Sequence, residues 1–165
     1  MAFSKRIRIL ASLIEPNKNI VDIGCDHALL DIYLTLYNHN SCIATDINEK
    51  AIQHAKENIK KYNLEIPVYV SDGLKNIPLL ENTTGIIAGM GTNTIIQILQ
   101  NQDLNQLSSF VIQTNNDYYL LRKFMTSIGY QIEEEITFYD KGIRYIAIKF
   151  IKGIQNYSYF ELLLG

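Results

Sequence analysis

The sequence predicts a doubly wound α/β domain with a mostly parallel sheet, and three observations carry that prediction. Short apolar runs alternate with amphipathic stretches along nearly the whole chain. Several apolar runs stop abruptly at glycine or aspartate, as in "VDIGCD", "CIATD", "YVSDG" and "IIAGMG". Near the end, "YQIEEEITFYD" and "IRYIAIKFI" alternate in polarity and are joined by "KG", the pattern of a β-hairpin. Strands alternating with helices imply right-handed crossovers and a parallel sheet, to which the hairpin adds one reversed strand.

Each element has its own justification. Residues 4–14 place Ile7, Leu10 and Ile14 on one helical face, and "NIVDIG" follows as a buried strand. "HALLDIYLTLY" has helical spacing from His27 onward, and "SCIATD" is the second strand. "NEKAIQHAKENIKKY" is a helix with its Glu and Lys side chains outward, ahead of a third strand, "IPVYVSD". "TGIIAGMG" and "SSFVIQT" are the fourth and fifth strands, followed by the helices "TNTIIQILQ" and "DYYLLRKFMTSI".

Bulk properties narrow the function. With 165 residues, 47% of them hydrophobic, the chain suits one domain over residues 1–165 that buries roughly 70% of its unfolded surface. Cys25 and Cys42 are too few for a disulfide scaffold and lack metal-ligand spacing, so free thiols, no metal and a cytoplasmic setting are expected. No segment approaches the ~20 apolar residues of a membrane span. The apolar stretch near the N-terminus is broken by Glu15, unlike a signal peptide. A net charge of -2 argues against an all-over basic nucleic-acid binder. The first 18 residues nevertheless hold Lys5, Arg6, Arg8 and Lys18 against Glu15, a basic head suited to phosphates or to a solvated helix face. There is no internal repeat or linker, and a monomer is expected.

In a doubly wound sheet a ligand lies across the carboxyl ends of the strands, and four such ends carry chemistry. The first has Asp22 and Gly24, then Cys25, Asp26 and His27; glycine permits close approach, and the start of a helix offers unpaired N–H groups. Asp26 is also placed to cap a helix beginning at His27. At the second end, Asp46 follows Gly24 at the ~20-residue spacing of a ribose-binding carboxylate, with Ile47 beside it. Asp72 and Gly73 suit an adenine edge, and Gly89, Met90 and Gly91 set one flexible apolar side chain between two glycines. A pyrophosphate site would want a second glycine where Asp26 stands. A carboxylate there repels pyrophosphate and favours a cationic ligand, so S-adenosylmethionine fits better than a dinucleotide.

Taken together, "SKRIRILASLI", "DIGCDHALLDIYL", "ATDIN", "SDGL", "IIAGMG" with "IIQIL", and "QTN" ahead of "LRKF" resemble the bacterial tRNA (adenine(22)-N(1))-methyltransferase family called TrmK. The resemblance implies a class I Rossmann-like methyltransferase domain, S-adenosylmethionine as cofactor and tRNA as partner. It also implies a C-terminal coiled-coil extension, ahead of which this sequence ends at "YSYFELLLG". Thr92 stands where the family has a third glycine, and "QTN" replaces Q-P-N.

The chemistry agrees. N1 of adenine has an in-plane lone pair, so methylation there removes no proton and depends on positioning and desolvation. Consistently, the fourth strand lacks the Asn-Pro-Pro-aromatic turn that orients an exocyclic amine. Asp26 or the amide of Asn115 can accept from the amine beside N1, with His27 near the cleft. Tyr118 and Tyr119 are candidates to stack an unstacked base, or to pack in the core. Lys5, Arg6, Arg122 and Arg144 are the candidate phosphate contacts. Competing readings are a cofactor-binding module that does not methylate RNA, and a methyltransferase for another substrate.

Overall fold

The computed structural model describes residues 2–165. Its core is a seven-stranded sheet of β1 (Asn19–Ile23), β2 (Ser41–Asp46), β3 (Val68–Val70), β4 (Thr83–Met90), β5 (Leu107–Thr114), β6 (Tyr130–Asp140) and β7 (Ile143–Lys152), in the order β3-β2-β1-β4-β5-β7-β6. β1 to β5 are mutually parallel, and β7 enters antiparallel between β5 and β6. The reversed strand is therefore internal. The turn that makes this possible is Lys141-Gly142, both at positive φ (50° and 80°), which matches the twist of a two-residue hairpin.

Helices cover both faces. α1 (Lys5–Ser12), α2 (Leu29–Tyr37) and α3 (Glu49–Lys61) bury Leu10, Ile32, Leu34, Ile52 and Ile59 against one face. α4 (Thr92–Gln100) and α5 (Tyr118–Ser127) bury Ile95, Leu99, Leu121 and Met125 against the other. Strand alternation assigns side chains to these layers: Ile20 packs toward α1–α3, whereas Val21 and Ile23 pack toward α4 and α5. Asp22 shares the face of Ile20. The crossovers change face between β1 and β4, so the switch point of the sheet opens at the end of Ile23 and the end of Met90.

Three expectations change. The second helix starts at Leu29 rather than His27, because Gly24 (φ 79°), Asp26 (φ 50°) and Ala28 (φ 56°) coil the preceding loop through left-handed conformations. Its N-cap residue is Ala28, so Asp26 caps nothing. A short helix α6 (Tyr159–Leu164), closed by a reciprocal Ser158–Glu161 capping box, was not anticipated.

Candidate functional site

The loop after β1 is tied to the end of β2. The N–H groups of Gly24 and Cys25 both donate to the Thr45 carbonyl at 2.8 Å, and the Thr45 hydroxyl donates to the Asp22 carbonyl at 3.1 Å. Asp46 finishes the join: Oδ2 accepts the Asp26 N–H at 3.1 Å and Oδ1 accepts the Asn48 N–H at 2.9 Å. Each oxygen keeps a lone pair for a ligand donor. The Asp26 side chain, freed from capping, is 77% exposed at the mouth, with Oδ1 3.4 Å from Nε2 of His27.

Opposite stands the end of β4. Gly89 has φ 84°, and a Cβ there would come within 2.8 Å of the Arg6 guanidinium, so glycine lets α1 close over this strand end. Met90 lies across Gly24, where any Cβ would collide with its methyl group. Gly91 is the N-cap residue of α4. The end of β5 buttresses this turn: the Asn115 N–H donates to the Met90 carbonyl and its Nδ2 to the Gly89 carbonyl, both at 2.8 Å. Thr92 stiffens the same region, its N–H donating to Asn116 Oδ1 at 2.9 Å and its hydroxyl to the Asn116 carbonyl at 2.6 Å.

Two cavities meet between these strand ends. One, about 460 Å³, lies under α1 and is lined by Arg6, Asp22, Asp26, His27 and Gly89 among others. The second, about 430 Å³, runs toward α4 and is lined by Ile47, Asp72, Gly73 and the amides Gln97, Asn101 and Gln102. Gly24, Asp46 and Met90 line both. The amides were missed in the sequence, although "QILQNQ" at the end of α4 is a legible polar cluster facing this edge. Gln102 is held in place by the Leu74 N–H, which donates to its Oε1 at 3.2 Å.

The electrostatics centre on Asp22 and Asp31, whose carboxyl groups lie within hydrogen-bonding reach of each other. Burial, opposed by the contact with Asp31 and by Arg6 and reinforced by Asp46, raises Asp22 to about 7. Asp31 is likewise pushed well above the ordinary carboxylate range, by burial and then by the Asp22 charge. The first-turn amides of α2 favour an anion at Asp31 by only ~0.3–1 kcal/mol, against several kcal/mol for removing a charge from water, so the acid form prevails. Burial also pushes the Cys25 and Cys42 thiols far upward, which leaves neither as a thiolate nucleophile.

The candidate phosphate contacts separate. Lys5 and Arg144 are exposed, and Arg6 is half-buried with its guanidinium carbon 5.5 Å from the Tyr145 ring centroid. Arg122 is a correction: it is 1% exposed, pairs with Glu135 at 2.6 Å and 2.9 Å, and donates to the Leu162 carbonyl at 3.0 Å. It is the anchor joining α5, β6 and α6, buried away from any RNA. Tyr118 belongs to the scaffold, its hydroxyl donating to the Thr114 carbonyl at 3.1 Å. Tyr119 is half-buried against Tyr159, with ring centroids 5.4 Å apart.

A parallel sheet with β7 inserted antiparallel beside β5, and paired cavities at its switch point, define the class as a Rossmann-like class I methyltransferase. The methyltransferase-domain family profile matches residues 3–148, and the chain belongs to that family and, within it, to the TrmK group. A Mycoplasma genitalium protein, provisionally assigned as a tRNA methyltransferase, is 35% identical over 146 residues, covering 86% of this chain and 66% of the relative. The tRNA (adenine(22)-N(1))-methyltransferase of Bacillus subtilis is 29% identical over 96% of this chain and 69% of its own. The structure of M. capricolum TrmK, in complex with S-adenosyl-homocysteine, superposes with a TM-score of 0.91 at 32% identity, over 100% of this chain and 76% of that one. The chain thus spans between 66% and 76% of the length of these three proteins.

Among the described residues no helix is long and apolar enough to cross a membrane, and no group of three or more His, Cys, Asp or Glu side chains is placed to hold a metal ion.

Proposed function

We propose that this chain methylates N1 of adenine 22 in tRNA, using S-adenosylmethionine. The observation that carries the reading is the pair of cavities joined at Gly24, Asp46 and Met90, in a chain whose relatives include the Bacillus subtilis tRNA (adenine(22)-N(1))-methyltransferase. An elongated nucleoside bearing an amino-acid tail fits two such compartments with a carboxylate at their junction.

The donor set matches that ligand. Asp46 retains lone pairs for the two ribose hydroxyls, and Asp72, Gly73 and the α4 amides line the compartment for the adenine ring, with Ile47 at its edge. Asp22, Gly24 and the His27 loop line the other compartment, where a carboxylate can meet an ammonium group. S-adenosylmethionine supplies an electrophilic methyl group on a sulfonium.

The protein's own work is positioning. Met90 walls the junction, and the Gly89-Met90-Gly91 turn admits the target base beside it. Asp26, or Oδ1 of Asn115, accepts from the base's amine while the ring becomes cationic. No residue has to remove a proton from N1, so the free acceptors matter more than a base. Arg6, which lines the cavity under α1, and the exposed Lys5 and Arg144 are the side chains assigned to phosphate contacts. Unstacking the adenine costs a few kcal/mol, which favours a weakly paired target.

The test is transfer of labelled methyl from S-adenosylmethionine to an unmodified tRNA transcript and to the same transcript carrying guanine at position 22. Label on the first alone is expected. Equal label on both would refute the assigned position, and cofactor binding without label on either would refute the assigned substrate for this chain.

A further inference from the structure

α2 reads "LLDIYLTLY", and its one charged residue is turned inward. Asp31 is 0% exposed, and neither of its carboxyl oxygens receives a hydrogen bond among the described residues. A leucine there would pack at no such cost. The group it faces is Asp22, itself buried, on the strand face that looks toward α1–α3, and Asp22 lines the cavity under α1. Two carboxylates in contact inside a protein cannot both be charged, so at least one proton resides between them.

The other groups around the pair do not supply that proton. Arg6 from α1 acts on Asp22 from across the cavity, and its own Nε is buried without an acceptor. From β2 come Asp46, a further negative charge, and Cys42, a thiol kept neutral by burial; Cys25 in the loop after β1 is likewise neutral, and Asp26 adds a fourth carboxylate to its surroundings. Asp22 lines the cavity, and Asp31 does not.

We propose that Asp31 is a proton-holding positioning residue: its carboxylic acid donates to Asp22 from beneath the cavity, fixing Asp22 as the acceptor for a ligand's ammonium group, and the pair releases its second proton when that cation binds. The inference rests on the cofactor reading above. The atoms balance simply: Asp31 keeps its O–H, Asp22 loses one to solvent, and the incoming cation replaces that charge. Asp22 titrates near 7, so the ammonium competes with a proton over the neutral range. Ligand affinity should fall by up to tenfold per pH unit below about 7 and level off above it.

The experiment has two arms. In the ligand-free protein, carbon-13 carboxyl shifts are followed through pH: Asp31 is expected to remain in the protonated range at pH 7 while Asp22 titrates, and an ionised Asp31 at that pH overturns the proposal whatever the ligand does. In the second arm, S-adenosylhomocysteine, a stable probe carrying the same ammonium, is titrated calorimetrically across pH in two buffers of different ionisation enthalpy. Release of up to about half a proton near pH 7 is expected. Asp31→Asn can still donate to Asp22 and should bind as the wild type does. Asp31→Leu removes the donor, so its midpoint should move upward, with affinity down about tenfold at pH 7 and recovered toward pH 8.5. An unshifted midpoint in Asp31→Leu, or wild-type binding with no proton release, overturns the proposal and leaves the cofactor reading intact. Absence of probe binding at every pH defeats the cofactor reading, and the carboxyl shifts still decide the state of the pair.

Discussion

Asp46→Ala separates the two jobs of one carboxylate. In the folded chain Oδ2 and Oδ1 already receive the N–H groups of Asp26 and Asn48 at 3.1 Å and 2.9 Å, which hold the loop after β1 against the end of β2. The remaining lone pairs are those assigned to the ribose. Hydrogen bonds to a charged acceptor contribute ~1.5–3 kcal/mol each, and because Asp46 is only half-buried the lower end applies. Losing two gives about 3 kcal/mol, or about 100-fold in Kd. The loop N–H groups lie near solvent, so the stability cost should stay near 1–2 kcal/mol, a Tm fall of ~2–8 °C. The assay is calorimetric titration with S-adenosylhomocysteine and with its 2′,3′-dideoxy analogue, on wild type and variant. Wild type should lose affinity for the dideoxy analogue, whereas the variant should bind both alike, since the coupled partner is gone. A variant that still discriminates the two ligands by 100-fold, or binds the natural one within threefold of wild type, refutes the ribose assignment.

Other perturbations test separate parts of the argument. Arg122→Ala strands the largely buried Glu135 and the Leu162 carbonyl, so thermal unfolding should show a loss of ~3–5 kcal/mol while cofactor affinity stays unchanged; a stable variant with weakened tRNA binding would restore Arg122 to RNA recognition. Gly24→Ala must hold a left-handed φ of 79° and displace the Met90 methyl. It should fold with a Tm lowered by a few degrees and bind cofactor poorly, and adding Met90→Ala should recover part of the binding but none of the backbone strain. The pH dependence of apo stability follows from Asp22, which burial raises to about 7, well above the ordinary carboxylate range. The folded protein holds a proton there that the unfolded chain releases near 4, so this contribution is complete below about pH 4 and is lost as pH rises to about 7. The slope is on the order of 1 kcal/mol per pH unit within that window. Asp31, raised by the same burial, adds a slope of its own in both proteins, so chemical denaturation should show a steeper fall in wild type than in Asp22→Asn, and parallel curves would contradict the buried charge balance.

How far the sequence reaches depends on whether the determining contact is local. β2 matches "SCIATD" to the residue, and β1 and β4 are close to expectation, because strands covered on both faces must be apolar and the chemistry begins where cover ends. The strand-end residues Gly24, Asp46, Asp72 and Met90 were legible for the same reason. α2 was placed two residues early because Ala28 adopts φ 56°, a conformation its side chain does not announce. Arg122 was misread because "LLRKF" does not reveal which side of the helix α6 and β6 will cover. α6 itself lacked length for a periodic signal, although S-x-x-E at 158–161 was visible. Asp31 was the clearest missed cue: an aspartate within an apolar helix is locally inconsistent, and such inconsistencies concentrate at functional sites.

Asp26→Asn is the sharpest test of catalysis, and the backbone is what makes it clean. Asp26 sits at φ 50°, which asparagine tolerates nearly as well as aspartate, and it is the Asp26 N–H, not its carboxylate, that anchors the loop to Asp46. The substitution therefore removes a charge and little else, whereas alanine would add strain. The methylated base is cationic, so an anion at the mouth stabilises it more than it stabilises the neutral substrate, and only that difference accelerates the step. A charge-assisted hydrogen bond lost from the transition state corresponds to ~1.5–3 kcal/mol, or about 10- to 100-fold in turnover. Cofactor affinity should change less than threefold, because the cofactor's polar contacts are assigned to Asp22 and Asp46. If single-turnover rates hold while affinity for the cofactor falls, Asp26 is a cofactor residue, and the acceptor for the target amine is Asn115 Oδ1.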